Sequence, residues 1–151
     1  MSYFFLMSHA VLGSLLGLLG VWLFVDVLNA KEENQARIRQ VSLVIAIVMW
    51  VTYLLAGYFY VKDYGVDKAF ILKGPWPYAH DFFMESKEHV VMMLLMLATY
   101  LPIAAYNNLA ANKGARRNVL WATALLILTT LAMEGAGAMI SMGVRVALLP
   151  K

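Results

Sequence analysis

The 151-residue chain is 62% hydrophobic and only 14% charged, with a mean hydropathy of +0.71. An average soluble domain carries roughly 25% charged residues, so this balance excludes an ordinary water-soluble fold. The net charge of +3 comes from basic residues set in short stretches between apolar runs, which points to membrane sidedness and away from nucleic acid. With no cysteine, the chain forms no disulfide, thiolate metal site, iron–sulfur cluster or covalently attached c-type haem.

A hydrocarbon core about 30 Å thick takes roughly 20 helical residues to cross. The first segment of that length covers about residues 3–28. No basic stretch precedes it and no small-residue cleavage site follows it, so it reads as a retained span. The polar "NAKEENQARIRQ" (29–40) leads to a second span at about 41–61. A longer connection, 62–87, contains "GPWPY", which breaks any helix and places Trp and Tyr where a membrane–water boundary suits them. It is expected to lie irregularly along the outer surface. The third span is expected at about 88–109, kinked by Pro102. After "NNLAANKGARRN" (107–118), the fourth covers about 119–149. That exceeds one crossing, so this helix should tilt, bend at Gly135, Gly137 or Gly143, or project from the membrane.

The expected fold is therefore all-α, an up-and-down bundle of four transmembrane helices in a single membrane domain. Each short loop carries three Lys or Arg residues. The positive-inside bias then puts those loops in the cytoplasm and both termini outside, on the periplasmic side of a bacterial inner membrane.

His9 stands out in "FFLMSHAVLGSLLGLLG". Positions 9, 13, 17 and 20 share one helical stripe, so the imidazole looks along a face of three glycines. That clearance suits a flat ligand held by His9; it equally suits close packing of a neighbouring helix. His89 opens the third span on the same side of the membrane. Those two spans are diagonal in an up-and-down bundle, roughly 11–14 Å apart for neighbouring axes 8–10 Å apart. Two imidazoles on opposite faces of one iron can bridge that gap. His80, in the outer loop, is an alternative second ligand.

Glu134 falls near the middle of the fourth span, where a carboxylate is expensive, and marks a candidate proton or quinone site. Arg145 shares its face about 16 Å further along, too far for a salt bridge but placed to meet a carboxylate at the outer end. "ESKEH" (85–89) does not match the spacing of a di-iron carboxylate bundle, and a zinc site from His80, Asp81, Glu85 and His89 matches no strong motif. Met92, Met93 and Met96 read as packing residues. No phosphate loop or hydrolytic triad is present, and the loops are too short for a soluble catalytic domain.

His9, Gly13, Gly17, His89 and Arg145, set in four apolar helices, resemble the small four-helix b-type cytochromes, including the membrane anchors of respiratory dehydrogenases. The resemblance implies one haem b, since three histidines cannot make two bis-histidine sites. It also implies an electron-transfer subunit working between a quinone pool and a partner within a respiratory or photosynthetic complex. Two other readings stay open: a cofactor-free accessory subunit that packs such a complex, and a proton or ion transporter centred on Glu134.

Overall fold

A computed structural model describes residues 2–150. The long helices are α1 (Ser2–Leu28), α2 (Gln35–Lys62), α4 (Glu85–Ala104) and α5 (Lys113–Ala147). A short helix, α3 (Tyr64–Lys73), and a π-helical turn (Ala79–Met84) lie between α2 and α4. No strand occurs among the described residues. α1 packs on α2 and α5, and α4 packs on the same two, so α1 and α4 face each other across a diagonal. This is the expected all-α, up-and-down four-helix bundle.

Four helical segments, Phe4–Leu28, Glu32–Lys62, Ala79–Ala104 and Lys113–Ala147, are long and apolar enough to cross a membrane. Large apolar side chains cover the outside as well as the inside. Leu18, Leu54, Met96, Ile103, Trp121 and Leu128 are all exposed, while Leu23, Ile38, Ile45, Leu101 and Leu126 are fully buried. Water would penalise so continuous an apolar exterior and hydrocarbon would not. The architecture is compatible with an integral membrane protein.

The largest departure from the sequence reading is the outer connection. It is mostly helical, interrupted by a turn at Asp63 and by the four residues 74–77 of "GPWPY". The reason lies in α5, which runs unbroken for 35 residues and extends past the other helices. Tyr64, Ile71 and Ala79 pack on Ile140 there, joined by Phe59, Phe83, Met84 and Val144, and so form a second apolar core. Close approach at this junction requires two glycines. A Cβ on Gly143 would sit 2.7 Å from the Ala79 Cβ, and one on Gly74 would sit 2.6 Å from the Ala147 Cβ. Gly143 therefore serves helix contact and not a bend.

The third long helix also starts earlier than expected, at Glu85 instead of residue 88, and ends at Ala104 instead of 109. Pro102 lies in its last turn, where the missing N–H leaves the Ala98 carbonyl without its helical partner. The second helix begins at Gln35, six residues before the expected boundary, because that polar side chain is buried with partners. Gln35 Nε2 donates to the carbonyls of Ala105 (2.9 Å) and Asn107 (3.0 Å), and its Oε1 accepts from the Leu109 N–H (3.1 Å). These bonds satisfy the chain where α4 has just ended.

Beside them, Arg37 makes a two-point contact with Asp26 at 2.8 and 2.7 Å. Arg39 donates to the carbonyls of Ala105 and Tyr106 and lies over the Tyr106 ring. The basic residues of the short loops thus close this end of the bundle. Replacing Gln35 by Leu would leave the buried Leu109 N–H and the part-buried Asn107 carbonyl without this partner, at about 1–3 kcal/mol for a buried group before relaxation, while Ala105 keeps the bond from Arg39. We expect Gln35→Leu to lower stability by about 2–4 kcal/mol. Reversible unfolding in mixed micelles checks it; an unchanged midpoint would mean that water replaces the amide.

Candidate functional site: a cavity at the α3 end

At the end of the bundle covered by α3, the four long helices line a half-open cavity of about 410 Å³. That volume lies within the range of ordinary small-molecule sites, about 300–1,000 Å³. Its walls are largely apolar and aromatic, with Tyr53, Tyr60 and Tyr64 contributed by α2 and α3. Among the described residues, His9 from α1 and Lys87 from α4 are the nitrogen-bearing side chains on its lining; Asp67, Glu88 and Ser141 add oxygens. Burial, then the neighbouring charge of Asp63, pushes the Asp67 carboxyl above the usual aspartate range.

The helix opposite defines the state of His9. Its Nδ1 lies 3.4 Å from the carbonyl oxygen of Thr52, which can only accept, so Nδ1 carries the proton and donates. Nε2 is then the nitrogen with a free lone pair. Thr52 is itself buried, with its hydroxyl donating to the Val48 carbonyl at 2.7 Å. The imidazole is thus oriented by rigid α2 backbone.

Lys87 turns inward from α4 and donates to the carbonyl of Met133 at 3.2 Å. Gly137, one turn along α5, makes room for it: a Cβ there would lie 3.1 Å from Nζ. Glu134, the next residue after Met133, presses its carboxylate against Gly13 of α1, where a Cβ would collide with Oε1. A partly buried amine and a partly buried carboxylate therefore sit against one stretch of α5, each beside a glycine that makes room for it. One turn below, the Thr130 hydroxyl is buried and has no hydrogen-bond partner among the described residues.

The glycine stripe of α1 thus meets α5. Gly13 receives Glu134, Gly17 faces the Thr130 methyl at 4.0 Å, and a Cβ on Gly20 would be 2.9 Å from Ile127 Cγ1. The clearance expected for a flat ligand is taken up by the neighbouring helix, as the helix-packing alternative allows.

The other expected site residues are dispersed. His89 lies on the exposed face of α4, with Nδ1 donating to its own helix at the Glu85 carbonyl, 2.7 Å away, and it does not line the cavity. Arg145 is exposed near the end of α5 and is likewise not on the lining. His80 is buried in the second core, where Nδ1 is 2.9 Å from the Tyr64 hydroxyl. No group of three or more His, Asp or Glu side chains gathers as a metal cage among the described residues. This donor set does not fit a porphyrin held between His9 and His89: one imidazole borders the cavity and the other faces away from the bundle.

Sequence reasoning passed over Lys87 and Tyr64. The signal for Lys87 lay in the helix start: once α4 begins at Glu85, residues 87 and 89 are about 200° apart around its axis, so one must face inward if the other faces out. Compared with known proteins, the chain matches no family model, no curated protein and no solved structure.

Proposed function

We propose that the chain is a quinone-binding subunit of a membrane-bound redox complex. The observation that carries this reading is the meeting of His9 and Lys87 at an apolar, tyrosine-walled cavity within the bundle. A quinone presents a flat ring with two carbonyl oxygens and an apolar tail. The Lys87 ammonium suits a carbonyl oxygen of the oxidised ring, and the free Nε2 of His9 suits a hydroxyl proton of the reduced one. Glu134 behind Lys87 keeps a compensating acid within the bundle.

In quinol oxidation, each molecule releases two protons and two electrons. His9 accepts the first proton, a carboxylate of the lining, Asp67 or Glu88, takes the second, and the two electrons pass to a redox group of a partner subunit. The basic short loops support a cytoplasmic position for that end of the bundle, with the cavity near the outer face of a bacterial inner membrane.

The test is a titration of decylubiquinone into the purified chain in lipid nanodiscs, followed by quenching of the cavity tyrosine and nearby Trp50 fluorescence. Saturable quenching, absent with decanol as a tail-only control, is the expected result. Non-saturable partitioning would remove the quinone reading and favour the accessory-subunit role. A second reading rests on the free Nε2 of His9, which would ligate a haem b iron as a single axial imidazole. A Soret band lost in His9→Ala and kept in His89→Ala would establish that reading instead.

A further inference from the structure

A second polar cluster lies beyond the cavity, in the segment that covers the end of α5. After "GPWPY", the Pro77 carbonyl accepts from both the His80 N–H (2.9 Å) and the Asp81 N–H (3.1 Å), and the chain then winds as a wide π-helical turn before α4. Such turns insert one extra residue and re-aim the side chains around them. His80 is turned into the core, 3% exposed, while Asp81 and Phe82 beside it are exposed.

Both ring nitrogens of this buried imidazole face polar atoms. Nδ1 lies 2.9 Å from the hydroxyl of buried Tyr64, and Nε2 lies 3.7 Å from Oε1 of Glu85, whose side chain is half exposed. Tyr64 also lines the cavity. The three residues therefore run in order from the cavity wall, through the apolar core, to the aqueous end of the bundle. An imidazole kept only to fill that core would gain nothing over an apolar side chain, because its polar contacts merely replace water.

We propose that Tyr64, His80 and Glu85 form a proton relay between the cavity and the aqueous surface. With Nδ1 accepting, the Tyr64 hydroxyl proton passes to His80 while Tyr64 takes a replacement proton from a donor in the cavity. The proton on Nε2 passes to the Glu85 carboxylate, across a separation that one water closes, and Glu85 releases it to solvent. One proton leaves the cavity, one enters the solvent, and no net charge builds up. With the opposite tautomer of His80, the same path runs inward.

Tyr60 from α2, Asp67 from α3 and Glu88 from α4 also face this trio. Burial, then Tyr60 and the charges of Glu88, Asp67 and Glu85, push the Tyr64 phenol up, so it remains a neutral hydroxyl able to accept and donate in one step. The relay rests on the quinone reading only for what it serves; its own geometry is independent of His9 and Lys87.

The test uses the full chain with ¹⁵N-labelled histidine in lipid nanodiscs and measures exchange of the His80 ring proton with water by NMR. Glu85→Gln is expected to slow that exchange about 10-fold or more, whereas Asp81→Asn, on the same exposed turn, leaves it unchanged. Tyr64→Phe is expected to move the Nδ1 resonance and to retain the exchange at Nε2. Identical exchange in wild type and Glu85→Gln would overturn the relay, as would a Nδ1 resonance indifferent to Tyr64→Phe. Decylubiquinone titrated into the same samples separates the two proposals. Slowed exchange without quinone binding keeps the relay and removes the quinone as its client. Binding with unaltered exchange keeps the quinone and ends the relay.

Discussion

Lys87→Met is expected to destabilise the bundle by about 2–3 kcal/mol, and adding Glu134→Gln is expected to recover about half of that loss or more. Removing one charge of a buried pair costs about 3–5 kcal/mol when the two touch, largely because the survivor is left without compensation. Here the cost is smaller. Arg37 with Asp26 is an ion pair in direct contact; no such contact joins Lys87 to Glu134 among the described residues, so these two compensate each other through proximity.

Met keeps the length and apolar stem of lysine, so the Gly137 recess stays filled and the change reports charge rather than volume. It does forfeit the bond to the Met133 carbonyl, and that part of the loss is not recovered in the double variant. A double-mutant cycle, with unfolding by SDS titration from mixed micelles, checks the prediction. Strictly additive losses would mean that the amine and carboxylate do not share a field, and the internal acid–base pair would then play no part in binding.

The same pair explains what could and could not be read from the chain. Four helices were legible because length and hydropathy act segment by segment, with no reference to neighbours. The diagonal placement of the first and third spans followed from short connections alone. α3 and the π-helical turn were not legible, since both exist to cover an overhang of α5 that only the assembled bundle defines. His9 was singled out by the cost of an imidazole within an apolar span, and the structure places it on a cavity. Its glycine stripe was also visible as one face, but the occupant of that face is Glu134, 121 positions beyond Gly13, which no local pattern could name.

Lys87 was hidden by a boundary error. Counted as the last residue of a solvated loop, a lysine needs no explanation; within α4 it becomes an amine inside the bundle. The shift in helix start also changes the meaning of His89. Its periodicity then places it on the side opposite Lys87, and its ring satisfies itself on the Glu85 carbonyl one turn back.

That opposition yields the sharpest functional contrast between two residues of one type. His9→Ala is expected to weaken binding of the reduced form, decylubiquinol, roughly 10–100-fold, while His89→Ala leaves it unchanged. The first figure follows from losing a hydrogen bond to an ionisable partner in a desolvated site, worth about 1.5–3 kcal/mol. His9 is oriented by the Thr52 carbonyl, so its replacement also removes a ring held ready for the ligand. His9→Gln tests the point further: its amide can still reach a quinone oxygen but cannot accept and hold a proton, so it should retain part of the binding and lose its dependence on pH. His89 has an exposed ring outside the cavity, and alanine there removes only a contact with its own helix. Titration of the three variants in nanodiscs, at several pH values, checks all of this in one series. Equal weakening in His9→Ala and His89→Ala would put both imidazoles on one ligand, which the present arrangement of α4 does not allow, and would return the trans-bundle iron site to first place.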